Sequence, residues 1–362
     1  MTSLRFVERI VRNCLRIDEE DKVWISTYHH TVDLAEALAI ECDKIGAQVS
    51  IDFTTDRLWY HHVFCNQLDH LETPNSFELA LASVATARIF INGPEDPERL
   101  KEGSAERWVA YGRAGRLTWQ RLFERKIRIA GIALGQVTPQ RAKTYGFNFR
   151  DWKENVEDAI DVDYERMQYL GKKLADILEK SQQVEITNPE GTNLSFTLGG
   201  RNAYVNDGVI DDDDIEKGSI YASLPAGYVQ VAAIETSACG AVSSNLPTAN
   251  TGVLVQGIVL RFEKGRLVSF EGDKNVELIK GIWKKATGDK DRIGWLGIGL
   301  NPKIRTGFIN NEIALGTATI GIGSNKELDG KNETDYGQEV TVARPTVKLD
   351  ETTIIKQGRL TI

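Results

Sequence analysis

The sequence predicts two domains, an α/β domain with a largely parallel sheet followed by a β-rich α+β domain. Strand-like and helix-like segments alternate in the first half, short strand-like runs separated by Gly, Asn and Asp fill the second half, and a stretch with helical periodicity lies between them. The chain of 362 residues is long enough for two domains of ordinary size. We expect the first domain to be residues 1–180, ending in a bridging helix, and the second to be residues 181–362.

The parallel sheet of the first domain is predicted from the order of its elements. An amphipathic helix within residues 1–15 precedes a strand at 22–26, a helix that ends at Gly46 and a strand at 48–53. The same order recurs with strands at 87–92 and 127–134 and a helix at 105–123. Strands joined through a helix run parallel in one sheet, so these segments should form an α/β unit.

The second domain is predicted from a change in the pattern of apolar residues. Residues 158–180 keep apolar side chains at helical spacing and form the expected bridging helix. Runs such as LSFTL, YVQVAAI, VLVQGIVLRF and TATIGIG follow, with one helix near residues 275–285. Short runs bounded by turn residues are typical of antiparallel sheets, so this domain should be mostly β.

Composition limits the partners and the compartment. The 44 Lys and Arg against 52 Asp and Glu give a net charge of -8, which disfavours a nucleic-acid partner. The four cysteines form no CxxC pair, no run of 18 apolar residues occurs, and the N-terminal segment is amphipathic. We therefore expect a soluble, cytoplasmic protein with no membrane partner.

Several common catalytic motifs are missing from the sequence. The turn after the first strand reads STYHHTV and lacks the glycines of a dinucleotide-binding loop. No GxxxxGK(S/T) loop, GxSxG elbow or HExxH helix occurs. Nucleotide binding and the corresponding serine and zinc hydrolase mechanisms are therefore disfavoured.

The histidines are concentrated near the N-terminus. His29 and His30 follow the first predicted strand, His61 and His62 follow the second, and His70 completes the set of five. The carboxyl ends of parallel strands meet at one edge of a sheet, where α/β proteins bind ligands. The two pairs therefore indicate either a metal or proton-transfer site, or surface histidines without a ligand.

Ordered motifs across the chain resemble one known family. The segments that carry the resemblance are GTNLSFTLGGR, LPAGYVQVAAIE, GWLGIGLNPKIR, EIALGTATIGIG and KNETDYGQEV, together with FVERIVRNCLRIDEEDKVWI and DLAEALAIECDKIGAQVSID near the N-terminus. They are similar to the thermophilic-type metallo-aminopeptidases that include aminopeptidases T and S. The resemblance implies their fold, a homodimer that encloses a shared cavity, and peptide hydrolysis by two divalent metal ions.

The sequence departs from that family at the metal ligands. The family binds metal through a glutamate in P-x-G-E, a glutamate in G-E-L-G, a histidine in the strand of the ALGT-type motif and a final H-x-D pair. This chain has Tyr228, Trp295, Thr319, Gly337 and Glu339 at those positions. Because these residues offer one carboxylate and no imidazole, we expect neither the dinuclear site nor another cofactor.

The resemblance implies a site in the second domain. The candidate catalytic residues are Glu339, Asp335, Glu235 and Tyr228. The candidate substrate-binding residues are Trp295, Arg201, Asn301, Arg305, Glu312 and Tyr336. A carboxyl group beside aromatic rings has a raised pKa and is suited to acid/base catalysis without metal, and the rings are suited to flat or cationic ligands.

The leading prediction is therefore an enzyme on the aminopeptidase scaffold. It would act on a small amide-like, peptide-like or heteroaromatic molecule by carboxylate acid/base catalysis. One alternative is an aminopeptidase with a rewired site, in which the histidines of the first domain bind one divalent metal ion. A second alternative is a non-catalytic dimeric binding or scaffold protein.

Overall fold

The structure is a computed structural model that describes residues 5–91, 93–250, 252–334 and 336–362. The chain divides into two compact units. The first comprises Met1–Asp161 and Gly208–Pro225, and the second comprises Val162–Asp207 and Ala226–Ile362.

The first unit contains the predicted parallel sheet. Numbered along the chain, its strands are β1 Lys22–Tyr28, β2 Gln48–Thr54, β3 Ala87–Ile91, β4 Arg128–Ile132 and β8 Tyr221–Leu224. They lie in the order β2-β1-β3-β4-β8, and every neighbouring pair is parallel. The α/β prediction for this part of the chain is confirmed.

Helices pack around this sheet through apolar side chains. The helices of the unit are α1 Arg5–Arg9, α2 Val32–Ile45, α3 Asp56–Cys65, α4 Leu68–Leu71, α5 Ser76–Val84, α6 Ala105–Glu124, α7 Pro139–Tyr145, α8 Phe149–Ile160 and α10 Asp212–Lys217. Gly46, at φ 99°, ends α2 where the sequence predicted. Trp24, Leu122 and Ile129 belong to one buried core cluster, which joins α6 to the sheet.

The fifth strand of this sheet was predicted as a strand of the other domain. Its residues, Tyr221–Leu224, follow several strands of the second unit and were expected to belong to the antiparallel domain. They instead pair in parallel with β4, from Ile129 opposite Tyr221 to Ile132 opposite Leu224. Ala222 and Leu224 of this strand are buried. Burial of apolar side chains on a parallel sheet stabilises the pairing of β8 with β4.

The second unit is predominantly antiparallel, as predicted. Its helices are α9 Tyr164–Lys180 and α11 Val276–Lys285. Its strands are β5 Gln183–Thr187, β6 Asn193–Thr197, β7 Ala203–Asn206, β9 Tyr228–Ala232, β10 Cys239–Ser244, β11 Thr248–Asn250, β12 Val253–Val255, β13 Ile258–Glu263, β14 Arg266–Glu271, β15 Ile293–Gly299, β16 Ala318–Gly323, β17 Gly337–Val342, β18 Thr346–Leu349, β19 Thr352–Lys356 and β20 Arg359–Leu360.

These strands form two larger sheets and one small pair. The larger sheet has the order β14-β13-β10-β6-β5-β18-β19-β20, the next has the order β17-β16-β15-β9-β7, and β11 pairs with β12. The five-stranded sheet of this unit carries the five positions at which the sequence departs from the family's metal ligands, Tyr228, Trp295, Thr319, Gly337 and Glu339.

The predicted bridging helix is two helices. Helix α8 ends at Ile160, and α9 begins at Tyr164. Asp163 caps α9, because its carboxylate accepts a hydrogen bond of 3.0 Å from the backbone N–H of Arg166. Chain contacts place α9 in the second unit, whereas the sequence prediction ended the first domain with this helix at residue 180.

Within the described residues, none of the helices combines the length and the apolar character that a membrane crossing requires.

Candidate functional site

Strand register brings the predicted ligand positions onto one face of the five-stranded sheet. Trp295 of β15 lies opposite Gly321 of β16, and Gly321 lies opposite Glu339 of β17. Two residues further along β15, Gly297 pairs with Thr319 of β16, and two residues beyond that, Gly299 pairs with Tyr228 of β9. Directly opposed residues point to the same side of a sheet, as do alternate residues of one strand. All five positions that depart from the family pattern therefore share this face, which we call the polar face.

The opposite face of the same sheet belongs to the core. Its side chains are apolar and at most 2% exposed, and they include Val229, Val231, Leu296, Ile298, Ile320, Val340 and Val342. This alternation fixes the register, because a slip by one residue would turn the polar side chains into the core and the apolar side chains away from it.

Trp295 covers glycines on the polar face. A Cβ atom added to Gly321 would lie 2.2 Å from the indole, and one added to Gly297 would lie 3.1 Å from it. The ring therefore lies directly over Gly321, where a side chain would displace it, and borders Gly297, where the fit is tight. Beside it, the hydroxyls of Thr319 and Thr341 form a buried hydrogen bond of 3.0 Å.

Two glutamates interact next to this surface. Glu339 is on β17, and Glu312 is in the short 3-10 turn Asn311–Ile313. Burial and the charge of Glu312 raise the pKa of Glu339 to about 8. Burial also raises the pKa of Glu312, against hydrogen bonds from its own backbone and from Asn310. Glu339 therefore keeps its proton at neutral pH, because burial and a nearby like charge both disfavour its ionised form.

Glu235 has the opposite environment. Burial alone would raise its pKa, but hydrogen bonds from Arg201, from the Lys331 backbone and from Asn325 outweigh this effect and lower the pKa to about 2. Arg201 binds both carboxylate oxygens, at 2.8 and 3.0 Å, and also donates to the carbonyl of Ala233. The pair therefore organises its loop, and Glu235 stays ionised at physiological pH.

Other predicted site residues occupy different surroundings. Tyr228 lies on the polar face with its ring centroid 6.4 Å from that of Tyr204. Asn301 is fully buried and donates to the Ala226 carbonyl at 2.7 Å, so it holds the chain after β15. Arg305 is exposed in the segment that follows.

Tyr336 and Asp335 complete the predicted set. Burial raises the pKa of Tyr336, whose buried hydroxyl makes no hydrogen bond within the described residues. Asp335 lies outside the described residues.

Sequence reasoning missed one buried amide on the polar face. Asn206 of β7 lies opposite Tyr228 and is 3% exposed. Neither the nitrogen nor the oxygen of its side-chain amide makes a hydrogen bond within the described part of the chain. Unpaired buried polar groups are rare and need a functional or structural reason, but a lone asparagine in sequence carries no such signal.

The histidines of the first unit separate into two groups. His29 and His30 follow β1 and lie close to Glu95, with the Nε2 atom of His29 3.5 Å from the Oε2 atom of Glu95. His61 and His62 lie within helix α3 and do not belong to this group. The predicted joint cluster of both pairs is thus wrong, because helix α3 begins at Asp56, directly after β2, instead of leaving both histidines in a loop.

The chain has a parallel α/β unit and an antiparallel unit whose polar sheet face carries Glu339, with Glu312 in a neighbouring turn. The thermophilic metalloprotease family (M29) matches residues 3–306. The chain therefore belongs to this family, as the sequence motifs indicated. Aminopeptidase AmpS of Bacillus subtilis (strain 168) is 23% identical over 132 residues, which are 36% of this chain and 32% of AmpS. The match spans about a third of the length of that curated relative.

Two solved structures share the fold. Wild-type AmpT from Thermus thermophilus superposes with a TM-score of 0.78 at 17% identity, covering 99% of this chain and 98% of AmpT. A 2,5-dihydroxypyridine dioxygenase from Pseudomonas putida KT2440 gives 0.65 at 15% identity, covering 99% of this chain and 96% of that protein. These similarities confirm the fold. They do not determine the reaction, which depends on the residues of the site.

The family name implies bound metal ions, which require donor atoms such as carboxylate oxygens and imidazole nitrogens. The face presents the carboxylate of Glu339, with Glu312 beside it, and the hydroxyls of Tyr228, Thr319 and Thr341. All histidines of the chain precede residue 71 and belong to the first unit. Two divalent ions that require several carboxylate and imidazole ligands do not fit this set.

Proposed function

We propose that this chain is a divergent enzyme of the aminopeptidase family that works without the family's dinuclear metal site. Its substrate would be a small amide-like, peptide-like or heteroaromatic molecule. The observation that carries the proposal is the position of Glu339 on the polar face, in line with Trp295 across Gly321, where burial and the charge of Glu312 raise its pKa. We also propose that the protein acts as a cytoplasmic homodimer with no nucleic-acid or membrane partner.

The two carboxyl groups would divide the acid and base steps between them. With one shared proton, the ionised group removes a proton from a water molecule that attacks the substrate carbonyl. The neutral group donates its proton to the leaving nitrogen, so amide and water become acid and amine. The two groups then exchange roles through the transferred proton, as in other carboxylate pairs.

Aromatic residues would position the substrate. The indole of Trp295 offers a flat surface across Gly321 and Gly297, and such a surface stacks on planar or cationic groups. The hydroxyl of Tyr228 is a donor or acceptor on the same face. The carboxylate of Glu235 is bound by Arg201, so we assign it to orienting the loop instead of to proton transfer.

The test is turnover of a panel of aminoacyl amides, dipeptides and N-heterocycles by the purified chain and by Glu339→Gln. We expect kcat to fall by about 10²–10⁴-fold with KM nearly unchanged, because general acid/base catalysis contributes about that much. Glu185→Gln is the matched control, since Glu185 is an exposed glutamate of the other large sheet and should retain full turnover.

Other outcomes would favour the other functions. Equal turnover by Glu339→Gln and the unaltered chain would reject the carboxylate mechanism. Absence of turnover on the whole panel, with tight binding of a panel member, would indicate the non-catalytic binding protein.

A further inference from the structure

A second cluster of ligating side chains lies in the first unit, outside the site described above. His29 and His30 form the turn that follows β1, and Glu95 lies in the segment after β3. Since β1 and β3 are neighbouring parallel strands, both segments leave the same edge of the sheet. This edge is where open α/β sheets bind ligands.

The three side chains are close enough to share one ion. Each offers a ligand atom, and these three atoms lie within 4.8 Å of one another. The Nε2 atom of His29 is 3.5 Å from the Oε2 atom of Glu95. Ligands at about 2.0–2.2 Å from a tetrahedral zinc ion are separated by about 3.3–3.6 Å, so small side-chain rotations would suffice.

The hydrogen bond of His30 frees one ring nitrogen for a metal. Its Nε2 atom lies 2.9 Å from the carbonyl oxygen of Gly135. A carbonyl only accepts, so Nε2 carries the proton in the neutral ring and Nδ1 keeps its lone pair. That Nδ1 atom is buried and makes no hydrogen bond within the described residues. Histidines that bind metals commonly donate their second N–H to a carbonyl in this way.

The backbone around Glu95 is held in place by neighbouring side chains. Its N–H donates to Asp56 at 3.1 Å, and its carbonyl accepts from the Thr138 hydroxyl at 2.6 Å. The preceding carbonyl, of Pro94, accepts two hydrogen bonds from the buried guanidinium of Arg141. A carboxylate on a fixed backbone needs little ordering when it binds an ion.

We propose that His29, His30 and Glu95 bind one divalent transition-metal ion of the zinc class. Two imidazoles and a carboxylate suit Zn²⁺, Co²⁺ or Fe²⁺, whereas Ca²⁺ and Mg²⁺ prefer sets of oxygen ligands. Three protein ligands leave a coordination position open, as in catalytic sites. The proposal does not rest on the proposed function, because the carboxylate pair uses other residues in the other unit.

The test is calorimetric titration of the full chain, first freed of metal, with Zn²⁺ and with Co²⁺. We expect one equivalent per chain and, for Co²⁺, visible absorption of a nitrogen-ligated complex. Glu95→Gln and His29→Gln should each weaken binding at least tenfold, and His70→Ala, at an exposed histidine outside the cluster, should leave it unchanged.

Two results would overturn the proposal. One is the absence of saturable Zn²⁺ binding. The other is binding that survives in Glu95→Gln and His29→Gln but is lost in Glu339→Gln, which would place the ion at the carboxylate pair. Circular dichroism of each variant at the titration temperature verifies folding. His29 is exposed and Glu95→Gln changes no volume, so at least one variant remains interpretable.

Discussion

At the scale of single residues, three glutamates of the second unit differ through their neighbours. Glu339 faces the charge of Glu312 and keeps its proton, whereas Glu235 faces Arg201 and loses it. Groups whose environments move their pKa values apart are suited to different tasks. Here the difference separates a pair that can transfer protons from a carboxylate that holds structure.

The raised pKa of Glu339 predicts a specific dependence of stability on pH. The unfolded chain releases this proton near pH 4.5, but the folded protein retains it until about pH 8. Stability from this group is therefore complete below pH 4.5 and is lost as the pH rises toward 8, by at most about 1.4 kcal/mol per pH unit.

Glu339→Gln, which cannot ionise, should accordingly be more stable than the unaltered protein at pH 8.5 and similar to it at pH 4.5. Thermal unfolding at the two pH values measures this. A stability difference that stays constant between them would contradict the assigned pKa.

The ion pair of Arg201 and Glu235 predicts a large loss of stability when it is broken. Both side chains are only 12% exposed, so Arg201→Met leaves a buried carboxylate without its main partner. We expect a loss of about 3 kcal/mol at pH 7 in urea denaturation. The loss should shrink as the pH falls from 4.5 toward 2, where Glu235 becomes protonated in both proteins.

The double variant Arg201→Met/Glu235→Gln provides the control. It removes the unpaired charge and should recover part of the stability. If the double variant is as unstable as the single one, the charge of Glu235 is not the cause.

At the scale of elements, the packing of Trp295 on β16 predicts a steric effect. A methyl group on Gly321 would lie 2.2 Å from the indole, so Gly321→Ala must displace the ring. We expect a loss of about 1–3 kcal/mol in the free energy of unfolding, the usual cost of overpacking, and weaker binding of aromatic ligands.

Gly337→Ala is the matched control on the neighbouring strand, because among the described residues no atom beyond its own chain neighbours lies within 4 Å of the Cβ position there. It should change neither property by a comparable amount. Equal effects of the two substitutions would mean that Trp295 does not rest on Gly321.

The sequence predicts elements well where their signals are local. The strands at 22–26 and 48–53 and the end of α2 at Gly46 agree with the structure because apolar periodicity and a glycine stop act over a few residues. The break before α9 was missed, since Asp163 caps a helix inside an unbroken helical period. Strand β8 was predicted as a strand but assigned to the wrong sheet, because its partner, β4, is distant in the chain.

The positions of the candidate site residues were likewise predictable only where a local motif marks them. Family motifs predicted that Tyr228, Trp295 and Glu339 lie near one another, and in the strand register they share a face. The charge interaction of Glu312 with Glu339 was not predicted, because it joins a turn to a strand through tertiary structure. The proximity of Glu95 to His29 depends likewise on which strands are neighbours in the parallel sheet.

At the scale of the whole molecule, the two units carry candidate sites of different chemistry, and one set of variants can decide which of them supports turnover. If the carboxylate pair alone is catalytic, Glu339→Gln abolishes turnover while Glu95→Gln and a chelator leave it intact. If a metal ion at the histidines is the catalyst, Glu95→Gln and the chelator abolish turnover, and added Zn²⁺ restores it only to chains that keep Glu95.

We expect the first pattern, because the polar face bears Glu339, a carboxyl group with a raised pKa, beside the aromatic surface of Trp295 within one unit. Initial rates for the unaltered chain, the two single variants and the double variant, with and without chelator, provide the measurement. In the expected case Glu95→Gln adds nothing to the loss caused by Glu339→Gln, since residues of independent sites do not couple. If Glu95→Gln loses turnover and Glu339→Gln keeps it, the catalytic site is the histidine cluster of the first unit.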